Sequence, residues 1–222
     1  MTFNILLIVI LVTVGISIKA FNDRAFLERW MFIPYISKND KNYSRFFTHM
    51  LIHADWGHLI FNMFSLWFLG DLLLNLEGGI YDSRGSIITL DGGLISTYGP
   101  VMGQLHFAVL YILGGLFATL WPFARNQDNP GYRSLGASGA VSAIVFAAVM
   151  WNPGMPLRII FIPIDIPAYI FGPLYLLYEF FAHRRGGTGI AHDAHIGGAI
   201  FGIVYVLIIN IGKGSEFLGY FF

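Results

Sequence analysis

The chain has 222 residues, of which 56% are hydrophobic and 12% charged, and its formal net charge at pH 7 is zero. A soluble domain carries about a quarter charged residues, so this composition predicts a membrane protein, and the lack of a basic stripe argues against nucleic-acid binding. The absence of cysteine excludes disulfides, thiolate metal sites and a cysteine nucleophile.

Apolar runs predict six membrane-spanning helices, at about 3–20, 56–77, 104–121, 137–151, 157–182 and 190–211. The first run lacks the basic start and the small-residue cleavage site of a secretory signal, so we expect a retained span. We interpret residues 1–222 as a single all-α membrane domain.

Two connections differ from ordinary linkers. Residues 21–55 are polar, basic and aromatic, which predicts a structured loop at the membrane interface, where aromatic rings favour the headgroup region. Residues 78–103 are rich in Gly, Asp and Ser, which predicts a loop or small hairpin on the opposite face. We find no internal repeat, which disfavours a transporter built from duplicated halves.

The fourth apolar run is short. It extends from Ser138 to Trp151, where Asn152 and Pro153 end the helix, so its length is about 21 Å against a hydrocarbon core of about 30 Å. We therefore expect Ser138 to lie below the membrane surface. Irregular backbone at that depth is tolerated only where it is buried in protein or lines a wet cavity.

Six spans imply that the second, fourth and sixth all enter the membrane from one face. Polar side chains near these entry points can therefore meet at similar depth: His53, His58, Asn62, Ser138, His192 and His195.

A serine becomes a nucleophile only when a base removes its proton. His195 is the best candidate for that base, because it lies early in the sixth span. Gly198 and Gly202 follow it at the four-residue spacing that lets two helices approach closely, and Gly139 offers a small surface beside the serine. Close packing would bring Ser138 next to His195.

The second span supplies hydrogen-bond donors. His58 and Asn62 are four residues apart and share one helix face, and Asp55 is a candidate N-cap of that helix. The backbone N–H of Ser138, at a helix N-terminus, adds a third donor, and together they predict an oxyanion hole. Each residue alone is more often explained by packing or local hydrogen bonds, so the combination carries the hypothesis.

These residues resemble the motifs of the rhomboid family of intramembrane serine proteases. The motifs are His53-x4-His58-x3-Asn62, Gly136-x-Ser138-Gly139 and Ala194-His195-x2-Gly198-x3-Gly202, in that order. The resemblance implies a rhomboid-like bundle whose short fourth helix carries the nucleophile, with a Ser138/His195 dyad that lacks an acidic third member. It also implies an oxyanion hole from His58, Asn62 and the Ser138 N–H, and supporting roles for His53, Gly136, Gly139, Gly198 and Gly202.

The implied function is intramembrane endopeptidase activity, with acyl-enzyme formation followed by hydrolysis. The implied partners are single-span transmembrane protein substrates and membrane lipid, with no nucleic acid, no metal and no cofactor. The implied location is the bacterial cytoplasmic membrane, as a multi-pass protein. Most Lys and Arg side chains lie at the end that holds Ser138, so the positive-inside rule turns that end toward the cytoplasm. We favour the outward opening that the resemblance implies, because a long first loop counts weakly in this rule.

The chain departs from the family pattern at two positions that affect the site. Many rhomboids carry a tyrosine four residues after the nucleophile, packed on the catalytic histidine, whereas this chain has Ser142. Support for His195 must therefore come from elsewhere. The Trp-Arg pair of the first loop is Ser44-Arg45 here, so the resemblance does not imply the anchoring of that loop in lipid.

Two neighbours of His195 also receive an interpretation. Asp193 is expected to be a helix cap or to face solvent, and His192 to line the entrance.

Two alternatives to a protease remain. One is a metalloenzyme using His53/His58 and His192-x2-His195, although it lacks a His-Glu-x2-His motif. The other is a catalytically inactive relative that binds membrane spans.

Overall fold

The computed structural model describes residues 4–77, 79–81, 85–158, 164–186 and 189–222. Within these ranges, strands β1 (Gly79–Tyr81) and β2 (Ile87–Thr89) pair antiparallel, as do β3 (Pro156–Arg158) and β4 (Asp165–Pro167). The rest of the regular structure is helical, as the composition predicted. The helices are α1 (Ile5–Asn22), α2 (Arg24–Trp30), α3 (Pro34–Asn39), α4 (Arg45–Thr48), α5 (Trp56–Asn75), α6 (Leu94–Tyr98), α7 (Pro100–Asn126), α8 (Ser138–Trp151), α9 (Ala168–Arg185), α10 (His192–Ile209) and α11 (Gly212–Leu218).

Among the described residues, four helices are long and apolar enough to cross a membrane. They are α1, α5, α7 and α10, with mean hydropathies between 1.4 and 2.3. The protein is therefore a membrane protein. Helix α8 is apolar but has only 14 residues, and α9 contains Glu179 and a basic C-terminal turn. The count of six spans stays a prediction.

Helix α8 lies at the centre of the bundle and contacts α5, α7, α9 and α10. Every side chain from Gly139 to Trp151 is buried except that of Val145, which is half-buried. The small residues of α8, such as Gly139, Ala140 and Ala143, let the neighbouring helices pack closely around it, which explains why this segment becomes the core. Its bounds, Ser138–Trp151, agree with the short helix that the sequence predicted.

Small residues let α7, α8 and α10 pack closely. A Cβ added at Gly198 would overlap the carbonyl oxygen of Gly139, and one at Gly202 would overlap that of Ala143. On the other side, a Cβ at Gly139 would lie 2.6 Å from Ala118 Cβ of α7. These contacts pack the first turn of α8, which begins at Ser138, directly against α7 and α10.

The interpretation of residues 21–55 as a loop is wrong in part. The segment forms α2, α3, α4 and a 3-10 turn at His49–Leu51. Local caps explain these short helices: Asp23 accepts a hydrogen bond from the Phe26 N–H, and Pro34 occupies the first position of α3. In the other connection the hairpin of β1 and β2 agrees with the prediction, whereas α6 was not expected.

Two predicted spans have wrong bounds. The span 157–182 begins too early, because β3 and β4 precede α9, which starts at Ala168; positions 159–163 lie outside the described residues. Asp165 and Pro167 are paired in β4, and Pro167 is the residue directly before α9, so the helix begins where the strand ends. The span 104–121 is too short, because α7 begins at Pro100, a favoured first helical residue, and continues to Asn126.

Polar contacts close the end of α8 that is opposite Ser138. The buried side chain of Asn152 accepts a hydrogen bond from the Asp91 N–H at 2.9 Å and donates to the Asp91 carbonyl at 3.1 Å. The Trp151 indole donates to the Gly92 carbonyl at 2.9 Å. Lys213 of α11 forms an ion pair with the Asp91 carboxylate. This end is a structural anchor, separated from Ser138 by the length of α8.

Candidate active site

Ser138 is the first residue of α8, and the backbone before it has a conformation that only glycine adopts easily. Gly136 has φ of +114°, and a Cβ there would lie 2.5 Å from Cε1 of the His58 ring. The Gly136 N–H donates to the His49 carbonyl at 2.9 Å. The requirement for Gly136 therefore has two physical causes, a left-handed backbone and a ring packed against it.

His53 fixes the peptide directly before the serine. Its Nε2 accepts a hydrogen bond from the Ala137 N–H at 3.3 Å, so its proton is on Nδ1, which donates to Ser17 Oγ at 2.9 Å. The Ser17 hydroxyl in turn donates to the Leu51 carbonyl. Burial, and then the nearby His58, lower the pKa of His53 to about 3, so the ring is neutral. His53 thus links α1 to the start of α8.

The predicted catalytic residues share one cavity. A space of about 770 Å³ is lined by Ser138, His195, His58 and Asn62, together with apolar side chains of α5, α8 and α9. Ser138 and His195 are both partly exposed to it. The sequence analysis predicted that these four residues lie at similar depth, and all four line this cavity. Within the described part of the chain, the His195 ring forms its hydrogen bond with Glu179 rather than with Ser138.

The two candidate oxyanion donors lie on adjacent turns of α5. The predicted N-cap is confirmed, since Asp55 Oδ1 accepts from the His58 N–H at 2.8 Å. The Asn62 amide donates to the His58 carbonyl at 2.9 Å, which uses one of its two N–H groups. The Asn62 side chain lines the cavity, as does the half-buried His58 ring.

Glu179 of α9 was missed at the sequence level. Its side chain is 3% exposed, and its Oε1 lies 3.1 Å from His195 Nδ1, while its Oε2 lies 2.5 Å from His192 Nδ1. The expectation that no acidic side chain contacts His195 is therefore wrong. One signal was present, because an ionisable residue inside a predicted span is unusual and points to a functional site.

The neighbours of His195 differ from their interpretation. His192 does not line the entrance as expected, because its side chain is 3% exposed and bound to Glu179. Asp193 is buried rather than facing solvent, and its Oδ1 accepts from the Ala194 N–H at 3.0 Å, which fits the alternative of a cap.

Tyr175 of α9 lies near Ser142, the position where many rhomboids carry a tyrosine. It is one turn before Glu179, lines the cavity and interacts through its hydroxyl with Ser142 and Glu179. Its ring contacts the rings of Phe146 and Phe171.

The first loop is held by Arg45, which is 7% exposed. Its guanidinium donates to the carbonyls of Glu28 at 2.9 Å and Met31 at 2.5 Å. Phe32 then pairs with Ser134 through two backbone hydrogen bonds of 2.9 and 3.0 Å. The loop is thereby connected to the segment that leads into Ser138, and these contacts hold it against the protein.

The metal-binding alternative can be compared with the same geometry. Both ring nitrogens of His53 already have hydrogen-bond partners, which removes the His53/His58 pair as ligands. Glu179, His192 and His195 offer three ligand atoms within 4.8 Å of one another. Hydrogen bonds between the two rings and the two carboxylate oxygens account for this cluster.

Comparison with known proteins gives consistent results. The Rhomboid domain family matches residues 40–211. RHOMBOID-like protein 12, mitochondrial, of Arabidopsis thaliana is 28% identical over 196 residues, which cover 86% of this chain and 54% of that protein. Presenilin-associated rhomboid-like protein A, mitochondrial, of Danio rerio is 26% identical over 209 residues, 86% of this chain and 43% of that protein.

The human presenilin-associated rhomboid-like protein, mitochondrial, is 28% identical over 159 residues, which cover 69% of this chain and 35% of that protein. The chain thus spans about half or less of the length of these relatives. The family match covers most of the chain and includes all of the motif residues on α5, α8 and α10. The chain belongs to the rhomboid family.

Proposed function

We propose that this protein is an intramembrane serine endopeptidase with a six-span rhomboid bundle, in which Ser138 is the nucleophile and His195 the general base. The observation that carries the proposal is the shared cavity, where Ser138, His195, His58 and Asn62 all reach one space at the start of α8. The backbone held by Gly136 and His53 supports it, because a fixed nucleophile and fixed donors are what acyl transfer requires.

The reaction follows from these positions. Ser138 Oγ attacks the carbonyl carbon of the scissile peptide, and His195 Nε2 takes the hydroxyl proton. The oxyanion accepts hydrogen bonds from the Ser138 N–H, the His58 ring and the free N–H of Asn62. The C–N bond then breaks, and His195 passes its proton to the leaving amine nitrogen.

Water completes the cycle. It adds to the acyl carbon while His195 takes its proton, and the ester bond to Ser138 breaks as His195 returns that proton to Oγ. The product leaves with a new carboxyl group. The cavity supports this step, because polar donors and partly exposed catalytic side chains line the same space.

The substrate class follows from the walls of the cavity. Its apolar lining includes Phe61 and Leu69 of α5, Val145 of α8 and Phe171 of α9. An unwound segment of a single-span membrane protein would place apolar side chains against these residues and its peptide bond at Ser138. Membrane lipid is the surrounding partner, because the outer faces of these helices are apolar.

Location and orientation remain proposals as well. The relatives compared above are named as mitochondrial proteins, and a bacterial cytoplasmic membrane stays our prediction for this chain. An outward opening is tested by Lys41→Cys in intact cells. Labelling by an impermeant thiol reagent supports it, and labelling only after lysis contradicts it.

The proposed activity is tested with purified protein in lipid vesicles and a model single-span substrate. Ser138→Ala is expected to abolish cleavage. Ser96→Ala is the matched control, because Ser96 is exposed near the opposite end of α8, and it is expected to cleave at the wild-type rate. Cleavage by Ser138→Ala at the wild-type rate would exclude this serine as the nucleophile.

A further inference from the structure

We infer that Glu179 is a positioning residue for the reaction, a third member that orients His195 and fixes its tautomer. The inference rests on the proposed serine protease function and adds an acidic partner to it. It is carried by the geometry of two helices, α9 and α10, rather than by sequence proximity.

The first step concerns the His195 ring. A carboxylate can only accept hydrogen bonds, so the contact of 3.1 Å between Glu179 Oε1 and His195 Nδ1 requires a proton on Nδ1. Nε2 is then unprotonated and carries the lone pair that must accept the Ser138 proton. The same contact opposes the positive charge of the imidazolium that forms after that transfer.

The second step concerns the carboxylate itself. Glu179 is 3% exposed, and burial of a charge is costly unless it is paired and hydrogen-bonded. Its second oxygen accepts from His192 Nδ1 at 2.5 Å, and the Tyr175 hydroxyl interacts with the same side chain. Each oxygen thus has a donor, so the carboxylate has one orientation, with Oε1 directed at His195.

The third step concerns the two helix faces that bring Glu179 and His195 together although they are distant in sequence. His192 and His195 are three residues apart and share one face of α10, as Tyr175 and Glu179 do on α9. The two faces meet at the carboxylate. This arrangement supplies the support of His195 that Ser142 cannot give, and Tyr175 connects it back to Ser142 on α8.

Substituting Glu179→Gln tests the inference. We expect kcat for the model substrate to fall about 10- to 100-fold with KM nearly unchanged, because the residue acts on the base and not on substrate binding. We expect a smaller loss of kcat than if His195 were held in the wrong tautomer, because the amide oxygen of the introduced glutamine can still accept a hydrogen bond from His195 Nδ1. A kcat within about threefold of wild type would overturn the inference.

The control separates positioning from stability. Asp91→Asn removes the carboxylate that pairs with buried Lys213 at the other end of the bundle, so it is expected to lower the unfolding temperature while kcat is retained. If Glu179→Gln lowers kcat only in proportion to its folded fraction, Glu179 has a structural role alone and the inference is wrong.

A measurement on the wild-type protein covers the case that Glu179→Gln does not fold. Nitrogen-15 labelling of histidine reports the tautomer by NMR, with His195→Ala assigning the signal. We expect His195 to carry its proton on Nδ1. A proton on Nε2 would refute the inference.

Two further outcomes are distinguishable from these. Loss of wild-type activity on treatment with a metal chelator, restored by zinc, would replace the inference with a metal site at Glu179, His192 and His195. Retention of cleavage by Ser138→Ala would instead refute the proposed function itself, whereas a normal kcat in Glu179→Gln beside an inactive Ser138→Ala refutes only the role of Glu179.

Discussion

Replacing Gly198 by alanine tests whether close packing of α8 and α10 sets the geometry of the site. The added Cβ would overlap the carbonyl oxygen of Gly139, the residue after Ser138. A comfortable C···O contact needs about 3.3 Å, so the helices must separate by on the order of 1 Å. A backbone carbonyl cannot rotate away as a flexible side chain can.

The expected magnitude follows from two separate effects. Overpacking of this kind costs about 1–3 kcal/mol of the free energy of unfolding, which corresponds to a decrease in unfolding temperature of about 2–12 °C for a chain of this size. A displacement of about 1 Å between nucleophile and base lowers kcat by about 100-fold. The loss of kcat corresponds to about 2.7 kcal/mol of activation free energy, similar to the upper end of the loss of stability.

The assay combines thermal unfolding in detergent with cleavage of the model substrate. Gly15→Ala is the matched control, because nothing lies within 4 Å of the position of its added Cβ. Alanine also has the higher helix propensity, so this variant should be as stable as wild type or more so. Wild-type kcat in Gly198→Ala would refute the claim that this contact positions Ser138 and His195.

Two other predictions concern stability. The pKa of His53 is about 3 in the folded protein because burial disfavours its charged form, against about 6.5 when unfolded. The unfolded chain therefore binds more protons between these values, and the free energy of unfolding should fall as pH decreases from about 6.5, by on the order of 1 kcal/mol per unit. His53→Gln should reduce this slope in a pH series of unfolding measurements, and an unchanged slope contradicts the assignment. Asn152→Ala should cost about 1–3 kcal/mol by leaving the Asp91 backbone groups unpaired, with kcat unchanged; a large loss of kcat would show that this end is coupled to the site.

The central helix was accessible from the sequence because its length and its ends can be read there. The segment from Ser138 to Trp151 is apolar, rich in small residues and too short to cross the bilayer, which favours a position inside the bundle, and Asn152-Pro153 ends it. Its bounds agree with the prediction. The long first loop was harder, since its short helices depend on local caps such as Asp23 and on tertiary contacts of Arg45 that no periodicity reveals.

The part of the candidate site that lies near the starts of helices was predictable, because these helices enter the membrane from the same face. That reasoning brought Ser138, His195, His58 and Asn62 together, and they line one cavity. It did not find Glu179, because the only signal was an ionisable residue inside a predicted span and no spacing rule links position 179 to position 195. The Glu179 side chain points toward α10 because of the way α9 packs against α10.

The contacts of His53 are a second feature of the site that the sequence did not reveal. The resemblance to the family implied only a supporting role for this histidine. The structure shows a physical task, in which one ring nitrogen holds the Ala137 peptide and the other holds Ser17 of α1. Neither contact follows from a motif, because both join segments distant in sequence.

The most direct test of the central claim is the site of reaction with a fluorophosphonate, a reagent that modifies activated serines. The wild-type protein in lipid vesicles is treated with the probe, digested and analysed by mass spectrometry. We predict one adduct, on Ser138, that is absent in Ser138→Ala and forms much more slowly in His195→Ala. An adduct on a different serine, or cleavage activity that persists without any adduct on Ser138, would contradict the account.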